Sequence, residues 1–359
     1  MEIKSYAPGR VEWLGNHTDY NNGFVLAAAL DVGTQISGHK TQDDRIKLTS
    51  IRYDEVYETR IKNISPVAEK HWANYPLGVV AELIKLGYQI SGFEAVISGN
   101  VPIGAGLASS AALEISTVVF LKKLFNLDID NISLAKIAQA AEHNYAGVKC
   151  GLLDQISSLM SKKGHATFID FKDLTVRNIP VPSGYDLVII NSGVKHALVA
   201  GEYNERRASC ESAAKALGKS SLRQATMQEV NSKKKLLGEN LYKRAMHVVG
   251  ENERVLTAIK ALEMGDIRTV GELMTASHQS SKLYFENSCA ELDFIVDQAN
   301  KISSCLGSRL SGGGFGGATI NLVESSYVAD FGREIISKYE QKFGFEPVVF
   351  ITKPSGGAK

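Results

Sequence analysis

Apolar positions recur along this chain in two rhythms. Some short stretches alternate or run apolar throughout, as strands do. Longer ones place apolar residues three and four apart, as helices do. The first rhythm predicts strands over Gly23–Ile36, Ile46–Ser50, Val56–Ile64, Phe93–Gly99 and Gly164–Phe171. The second predicts helices over Trp72–Leu86, Ser109–Phe125 and Ser133–Ala146. In the first of these, Leu77, Val80, Leu83 and Ile84 form one stripe. Val181-Pro182-Ser183-Gly184 interrupts the pattern, and a new strand, Tyr185–Asn191, follows. The domain boundary is placed there, giving an N-terminal domain of residues 1–183 and a C-terminal domain of residues 184–359. The second part predicts helices over Glu202–Leu217, Leu241–Leu262, Thr269–Lys282, Leu292–Ser303 and Val328–Phe343. Strands are predicted at Ala318–Val323 and Val348–Thr352, with a glycine run at 312–317 between helix and strand. That order implies an α+β domain with a mainly antiparallel sheet. Residues Ser355–Lys359 are expected to fray.

Composition narrows the classes. A chain of 359 residues accommodates two domains with sizeable cores. Hydrophobic residues make up 44% and charged residues 22%, as in a soluble globular protein. The formal net charge of +1 supplies no overall drive toward nucleic acid or an acidic membrane. Cys150, Cys210, Cys289 and Cys305 have neither CxxC nor zinc-site spacing and read as free thiols in a reducing compartment. The start, MEIKSYAPGR, has no signal-peptide core, and the apolar run Phe24–Leu30 is far below the roughly 20 residues a membrane helix needs. A cytoplasmic protein without membrane or nucleic-acid partner, a monomer or weak homo-oligomer, is expected.

Two motif-like segments fail their context. Gly218-Lys219-Ser220 lacks the earlier glycine of a Walker loop, since position 213 is alanine, and it lies at a helix end. SGGGFGG fits GxGxxG but is followed by a strand where a dinucleotide site needs a helix.

Four other segments concentrate chemistry. APGRVEWLGNHTDYNNG, residues 7–23, gathers Arg10, Asn16, His17 and Asp19 before an apolar strand. Asn21-Asn22-Gly23 is ordinary turn chemistry, but the charged groups are not. On an extended chain His17 and Asp19 would share one side, where a polyhydroxyl ligand could meet both. PIGAGLASSAAL, residues 102–113, has glycines that free the backbone to wrap a ligand, and Ser109 and Ser110 then open a helix. A helix N-terminus attracts anions, so phosphate cradling is favoured over plain capping. In AEHNYAGVKCGLLDQISSLM, Glu142 and Asp154 are open to two readings: metal ligand and base, or surface charge and cap. RLSGGGFGGATINLV reads equally as a tight loop or a close ligand contact.

In this order the segments resemble the galactokinase branch of the GHMP small-molecule kinases. That branch reads close to GRVNLIGEHTDYNxG, PxGxGLSSSAAL, GxMDQ and GGGFGG. Here the matches are GRVEWLGNHTDYNNG, PIGAGLASSAAL, GLLDQ and GGGFGG. HWANY at 71–75 and GEYNERR at 201–207 resemble its adenine-side helix and sugar-contacting segment. The resemblance implies a two-domain α+β fold. Its N-terminal domain is like the second domain of ribosomal protein S5, its C-terminal domain is ferredoxin-like, and the site lies between them. It implies an ATP- and Mg²⁺-dependent kinase phosphorylating the anomeric hydroxyl of D-galactose. Asp154 would be the base and Arg10 its partner. Asn16, His17, Asp19, Tyr203 and the backbone at Gly151 would meet the sugar. Trp72 and Tyr75 would lie along adenine. Pro102, Gly104, Ala105, Gly106, Leu107, Ala108, Ser109 and Ser110 would cradle the nucleotide, with Gly313 and Gly314 closing over it. Ser110 and Glu142 would hold Mg²⁺.

The chain departs from the pattern at position 16, where the branch has a glutamate against the sugar's C6 hydroxyl and this chain has Asn16. Glu12 and Trp13 also replace an asparagine and an aliphatic residue. An uncharged Asn16 would tolerate a uronic acid, so galactose-like sugars altered at C6 or C2 (galacturonate, N-acetylgalactosamine, arabinose) are the alternative substrates. A catalytically inactive sugar sensor is the other alternative, and retention of Arg10, Asp154 and Ser109-Ser110-Ala111-Ala112 argues against it.

Overall fold

The computed structural model describes residues 1–68, 71–102, 106–195 and 199–359. The first sheet contains β1 (Ile3–Leu14), β2 (Phe24–Lys40), β3 (Arg45–Ser50), β4 (Glu55–Arg60), β5 (Phe93–Gly99), β6 (His165–Asp170) and β7 (Thr175–Pro180). Its spine is β2, which pairs antiparallel with β1, β5 and β6. One parallel pairing, β3 with β5, joins the β3–β4 hairpin to it. Period-two alternation sends Val25 and Ala27 of β2 toward one core and Leu26, Ala28 and Leu30 toward another.

The first core is closed by α1 (Asn74–Lys85), α2 (Ser109–Phe125), α3 (Asn131–Ala141) and α4 (Leu153–Met160), through Leu77, Val80, Ile115, Val118 and Ile156. The second core is shared with the rest of the chain. There β8 (Tyr185–Lys195), β9 (Cys305–Ser311), β10 (Gly316–Glu324) and β11 (Val348–Thr352) form an antiparallel sheet in the order β11-β8-β10-β9. Around it lie α5 (Val199–Ala216), α6 (Met227–Ser232), α7 (Lys234–Glu263), α8 (Ile267–Ser280), α9 (Ala290–Ala299) and α10 (Val328–Phe343). Val11, Trp13 and Leu14 of β1 pack with Leu187, Ile189, Ile320, Leu322 and Val255, so apolar burial itself fixes the two sheets together. Each such side chain contributes about 1.5–3 kcal/mol when fully buried. The packing of α8 on β9 is closer still: a Cβ on Gly307 would lie 1.9 Å from the Gly271 carbonyl oxygen.

The first sheet ends at Pro180 and the second begins at Tyr185. Four local differences from the sequence pattern have physical reasons. The strand β1 is hidden by Pro8-Gly9, which falls at a register shift where a strand tolerates proline. The strands β7 and β9 and the short helix α6 were not foreseen, because TVRNIP, CLGSRLS and MQEVNS carry too few apolar residues to show a rhythm. The helix expected to run to Ala146 leaves the α-conformation at Glu142 and makes one wide π-helical turn. The tail does not fray. The Ser355 N–H donates to Ala29, Gly357 to Ser161 and Ala358 to Ser158, and Lys359 exchanges two hydrogen bonds with Tyr6. Backbone groups along β1 and beside α4 satisfy the tail, which brings the chain back to the first sheet.

Candidate active site

Arg10 and Glu12 sit two apart on β1 and share one face. Opposite them in register are Ala29 and Ala27, whose small side chains leave room above the sheet. Asp154 enters that space from the first turn of α4, where the helix dipole favours a carboxylate. Arg10 Nε and Nη2 both donate to Asp154 Oδ1, at 2.8 and 2.6 Å. Arg10 Nη1 donates to the Gly106 carbonyl at 2.6 Å, and the Arg10 N–H donates to the Leu107 carbonyl. One arginine therefore ties Asp154 to the glycine-rich loop.

Beside this pair opens a cavity of about 710 Å³, lined by Arg10, Glu12, Asn16, His17, Asp19, Gly151, Asp154, Tyr203 and Gly313 among others. His17 and Asp19 meet there, but not by alternation on an extended chain. His17 is left-handed, with φ 60°, and Asp19 starts a 3₁₀ turn that ends at Asn21. Thr18 holds this turn, its hydroxyl contacting the Gly15 and Phe24 carbonyls at 2.7 and 2.6 Å. His17 Nε2 lies 3.1 Å from the Gly313 carbonyl and Nδ1 lies 2.9 Å from the Tyr20 hydroxyl. A carbonyl only accepts, so Nε2 carries the proton and Nδ1 accepts from Tyr20. Burial, aided by the nearby charges of Arg206 and Arg309, lowers the His17 pKa to about 4 and keeps the ring neutral. Desolvation raises Asp19 to about 6, with Glu12 and Asp154 adding to the rise. Gly151 is close enough that a Cβ there would lie 2.4 Å from Asp19 Oδ2.

Other elements hold this turn from the far half of the chain. Glu251 of α7 is fully buried and accepts the Gly15 and Asn16 N–H groups at 2.8 and 2.9 Å. Its burial would raise its pKa, yet the Arg254 and Arg309 charges and the Asn16 N–H outweigh that and hold it well below the carboxylate range. Asn16 Nδ2 donates to the Gly312 carbonyl at 2.7 Å and to Glu12 Oε1 at 3.2 Å, while Asn287 Nδ2 donates to Asn16 Oδ1 at 3.0 Å. Gly314 packs on Asn287: with φ 81° and a Cβ position 2.1 Å from the Asn287 carbonyl oxygen, no other residue fits. Tyr203 of α5 closes the cavity, its ring 5.2 Å from that of His17. Gly313 thus lines the same cavity as Asp154, while Gly314 is taken up by the Asn287 backbone.

A second pocket, about 260 Å³, is lined by Trp72, Tyr75, Tyr53, Arg52, Ser109, Ser110 and Leu113 among others. Trp72 precedes α1 and stacks on Tyr53 at 6.4 Å, with its indole N–H donating to Glu55. Between the pockets lies the start of α2. Ala108, in the left-handed region, occupies the cap position, and among the described residues no side chain caps the helix. Ser109 and Ser110 face the pocket instead, so the plain capping reading does not hold. Residues 106–108 lead directly into this helix start, and Pro102 is half-buried in the segment after β5. Gly104 and Ala105 lie outside the described residues.

Glu142 stands in the π-helical turn, a device that re-aims a side chain. It accepts from Cys150 Sγ at 3.0 Å and from Gln155 Nε2 at 2.9 Å, and its carboxyl is raised by burial and by Asp154, with Ser110 partly offsetting. Glu114 shares Gln155 and is raised for the same reasons, burial and then Glu142. Sequence reasoning missed Glu114, Asn287, Glu251 and Arg309 as site-forming residues, and named Glu12 only as a departure. A charged residue in the apolar register of a strand, as at Glu12 and Arg309, was the available signal.

Residues 3–40 match the galactokinase galactose-binding signature, residues 74–162 the GHMP kinases N terminal domain, and residues 258–341 the GHMP kinases C terminal model. The chain is 40% identical over 350 residues to a galactokinase of Chloroflexus aggregans, covering 96% of this chain and 90% of that protein. It is 38% identical over 358 residues to a galactokinase of Thermosipho africanus, covering 99% of each. Its structure is similar to that of Lactococcus lactis galactokinase complexed with galactose, with a TM-score of 0.94 and 34% identity, covering 100% of this chain and 95% of that one. A mevalonate kinase at 21% identity and a TM-score of 0.66 shares the fold.

Proposed function

The chain belongs to the galactokinase branch of the GHMP kinases, and from that premise we propose that it transfers the γ-phosphoryl group of ATP to the anomeric hydroxyl of D-galactose. The observation that carries this reading is the reach of Arg10, which contacts Asp154 on the sugar side and Gly106 on the nucleotide side. Phosphoryl transfer asks for positioning and charge neutralisation more than covalent chemistry. Asp154 takes the proton from the anomeric hydroxyl, and Arg10 steadies it and faces the charge that develops on the phosphoryl oxygens. Asp19, His17, Tyr203 and the backbone at Gly151 fix the sugar, with Asn16 behind them. Trp72 and Tyr75 take the base of ATP, and the uncapped start of α2 with Ser109 and Ser110 takes its phosphates.

Mg²⁺ fits the donors present. Glu142 and Ser110 adjoin, and the Glu142 carboxyl is disfavoured as an anion by burial and by Asp154, a penalty that a neighbouring cation reverses. These two residues would hold the ion, which when bound neutralises phosphate charge. The same reading makes the protein a cytoplasmic enzyme, a monomer or weak homo-oligomer, with no membrane or nucleic-acid partner. Among the described residues no helix is long and apolar enough to cross a membrane.

The test is ADP release with ATP, Mg²⁺ and a panel of galactose, N-acetylgalactosamine, galacturonate, arabinose and glucose. Galactose should be the best substrate, and release with none of the five would overturn the reading. A pH dependence follows from Asp19. Its raised pKa means that it is protonated below about 6 and ionised above. An acceptor of sugar hydroxyls works best ionised, so kcat/KM for galactose should fall as pH drops through about 6. Asp19→Asn should lower kcat/KM and lose that limb; a limb unchanged in the variant would assign it to another group.

A further inference from the structure

The site contains a carboxylate that the phosphoryl-transfer chemistry does not use. Glu12 is 5% exposed and lines the sugar cavity, and Arg309, fully buried in β9, donates to its Oε1 from both Nη1 and Nη2 at 3.1 Å. Asn16 Nδ2 donates to the same oxygen at 3.2 Å. Oε2 receives no hydrogen bond from a described residue. A buried carboxylate held rigidly by one oxygen, with the other free at a cavity wall, is an acceptor waiting for a ligand donor.

Position along the strand says which part of the ligand meets it. Glu12 follows Arg10 by two residues with no register shift between them, so the two side chains are roughly 7 Å apart on one face. That span is about one pyranose ring. With the anomeric hydroxyl at Arg10 and Asp154, Glu12 faces the remote end of the sugar. His17, Asp19 and Tyr203 line the same cavity and are the candidates for the ring hydroxyls. Glu12, with Asn16, Arg309 and Gly312, forms its own.

We propose that Glu12 is the specificity-determining residue for the sugar's exocyclic hydroxymethyl group, accepting its hydroxyl on Oε2 and excluding hexuronates by charge repulsion. This rests on Asp154 standing at the anomeric hydroxyl. The sequence carries a matching sign: asparagine and glutamate of the galactokinase pattern have exchanged places here as Glu12 and Asn16, and the two side chains touch. The carboxylate has moved from the turn to the strand and has not been lost. Both donors of the Asn16 amide are occupied by Glu12 and Gly312, so Asn16 has no free donor to offer a sugar carboxylate. Asp19 adds a second negative group to the cavity; Arg10 is paired with Asp154, and Lys149 lines the wall as the remaining cation among the described lining residues.

The test compares D-galactose, 6-deoxy-D-galactose and D-galacturonate in the wild type, Glu12→Gln and Glu12→Asp. The wild type should prefer galactose to its 6-deoxy form by about tenfold in kcat/KM, the worth of one charge-assisted hydrogen bond, and should reject galacturonate. Glu12→Gln should raise KM for galactose by about tenfold with little change in kcat, leave 6-deoxygalactose unaffected and admit galacturonate. Glu12→Asp keeps a charge for Arg309, and so guards against misfolding. It withdraws the carboxylate from the cavity and should show the same selective rise in KM. Equal losses on galactose and its 6-deoxy form, in whichever variant folds, would overturn the proposal. So would a wild type that does not distinguish them. Calorimetric binding of the same sugars without ATP gives this ratio independently of turnover, so failure of the kinase reading and failure of the Glu12 assignment are separable.

Discussion

Asp154→Asn is expected to lower kcat for galactose phosphorylation by about 10²–10⁴-fold, the usual contribution of a positioned general base. Asparagine keeps the shape of the side chain and an oxygen for Arg10, but it cannot take a proton. The loss should fall on kcat, because the proposed base acts on the reacting oxygen, while the other proposed sugar contacts remain. ATP affinity by calorimetry should change little, since Arg10 also contacts the Gly106 carbonyl and keeps the loop in place. Both Arg10 donors to Asp154 use Oδ1, so Oδ2 is the oxygen left to face the sugar. Turnover within tenfold of the wild type would remove Asp154 from the role of base.

The largest stability effect is expected at Arg309. Its guanidinium crosses from β9 to β1, donating to Glu12 Oε1 and, at 2.9 Å, to the Trp13 carbonyl. Arg309→Met should cost about 3–5 kcal/mol in urea unfolding, because it takes the counter-charge from the buried Glu12 carboxylate, which keeps only the Asn16 amide donor, and removes a donor from the Trp13 carbonyl. The penalty arises from the stranded partner. Adding Glu12→Gln should therefore recover part of it, a coupling that the double-variant cycle measures. A loss below about 1 kcal/mol would mean that the two halves are held by apolar packing alone.

What the sequence made legible was local chemistry. PIGAGLASSAAL predicted a helix start, and α2 begins at Ser109 as its pattern required. Arg10, His17, Asp19, Asp154 and Tyr203 all reach one cavity, although they come from separate segments. The conformation that brings His17 and Asp19 together was not legible, since a left-handed histidine followed by a 3₁₀ turn leaves no periodicity to read. Nor was the support behind them. Glu251 and Arg309 act on groups 236 and 297 residues away in sequence, respectively, and a single charge in an apolar stretch does not say which partner it will meet. The docked tail was missed for a related reason: its hydrogen bonds depend on backbone groups that the first sheet leaves open, and these exist only once that sheet has formed.

The central claim is that Arg10 and Asp154 direct phosphoryl transfer to the anomeric oxygen. It is tested most directly by the product made from ATP and galactose labelled with carbon-13 at C1. Phosphorus NMR should show a single sugar phosphate coupled to the labelled carbon, with no such product from Asp154→Asn. Phosphate on any other carbon, or free phosphate alone, would contradict the account.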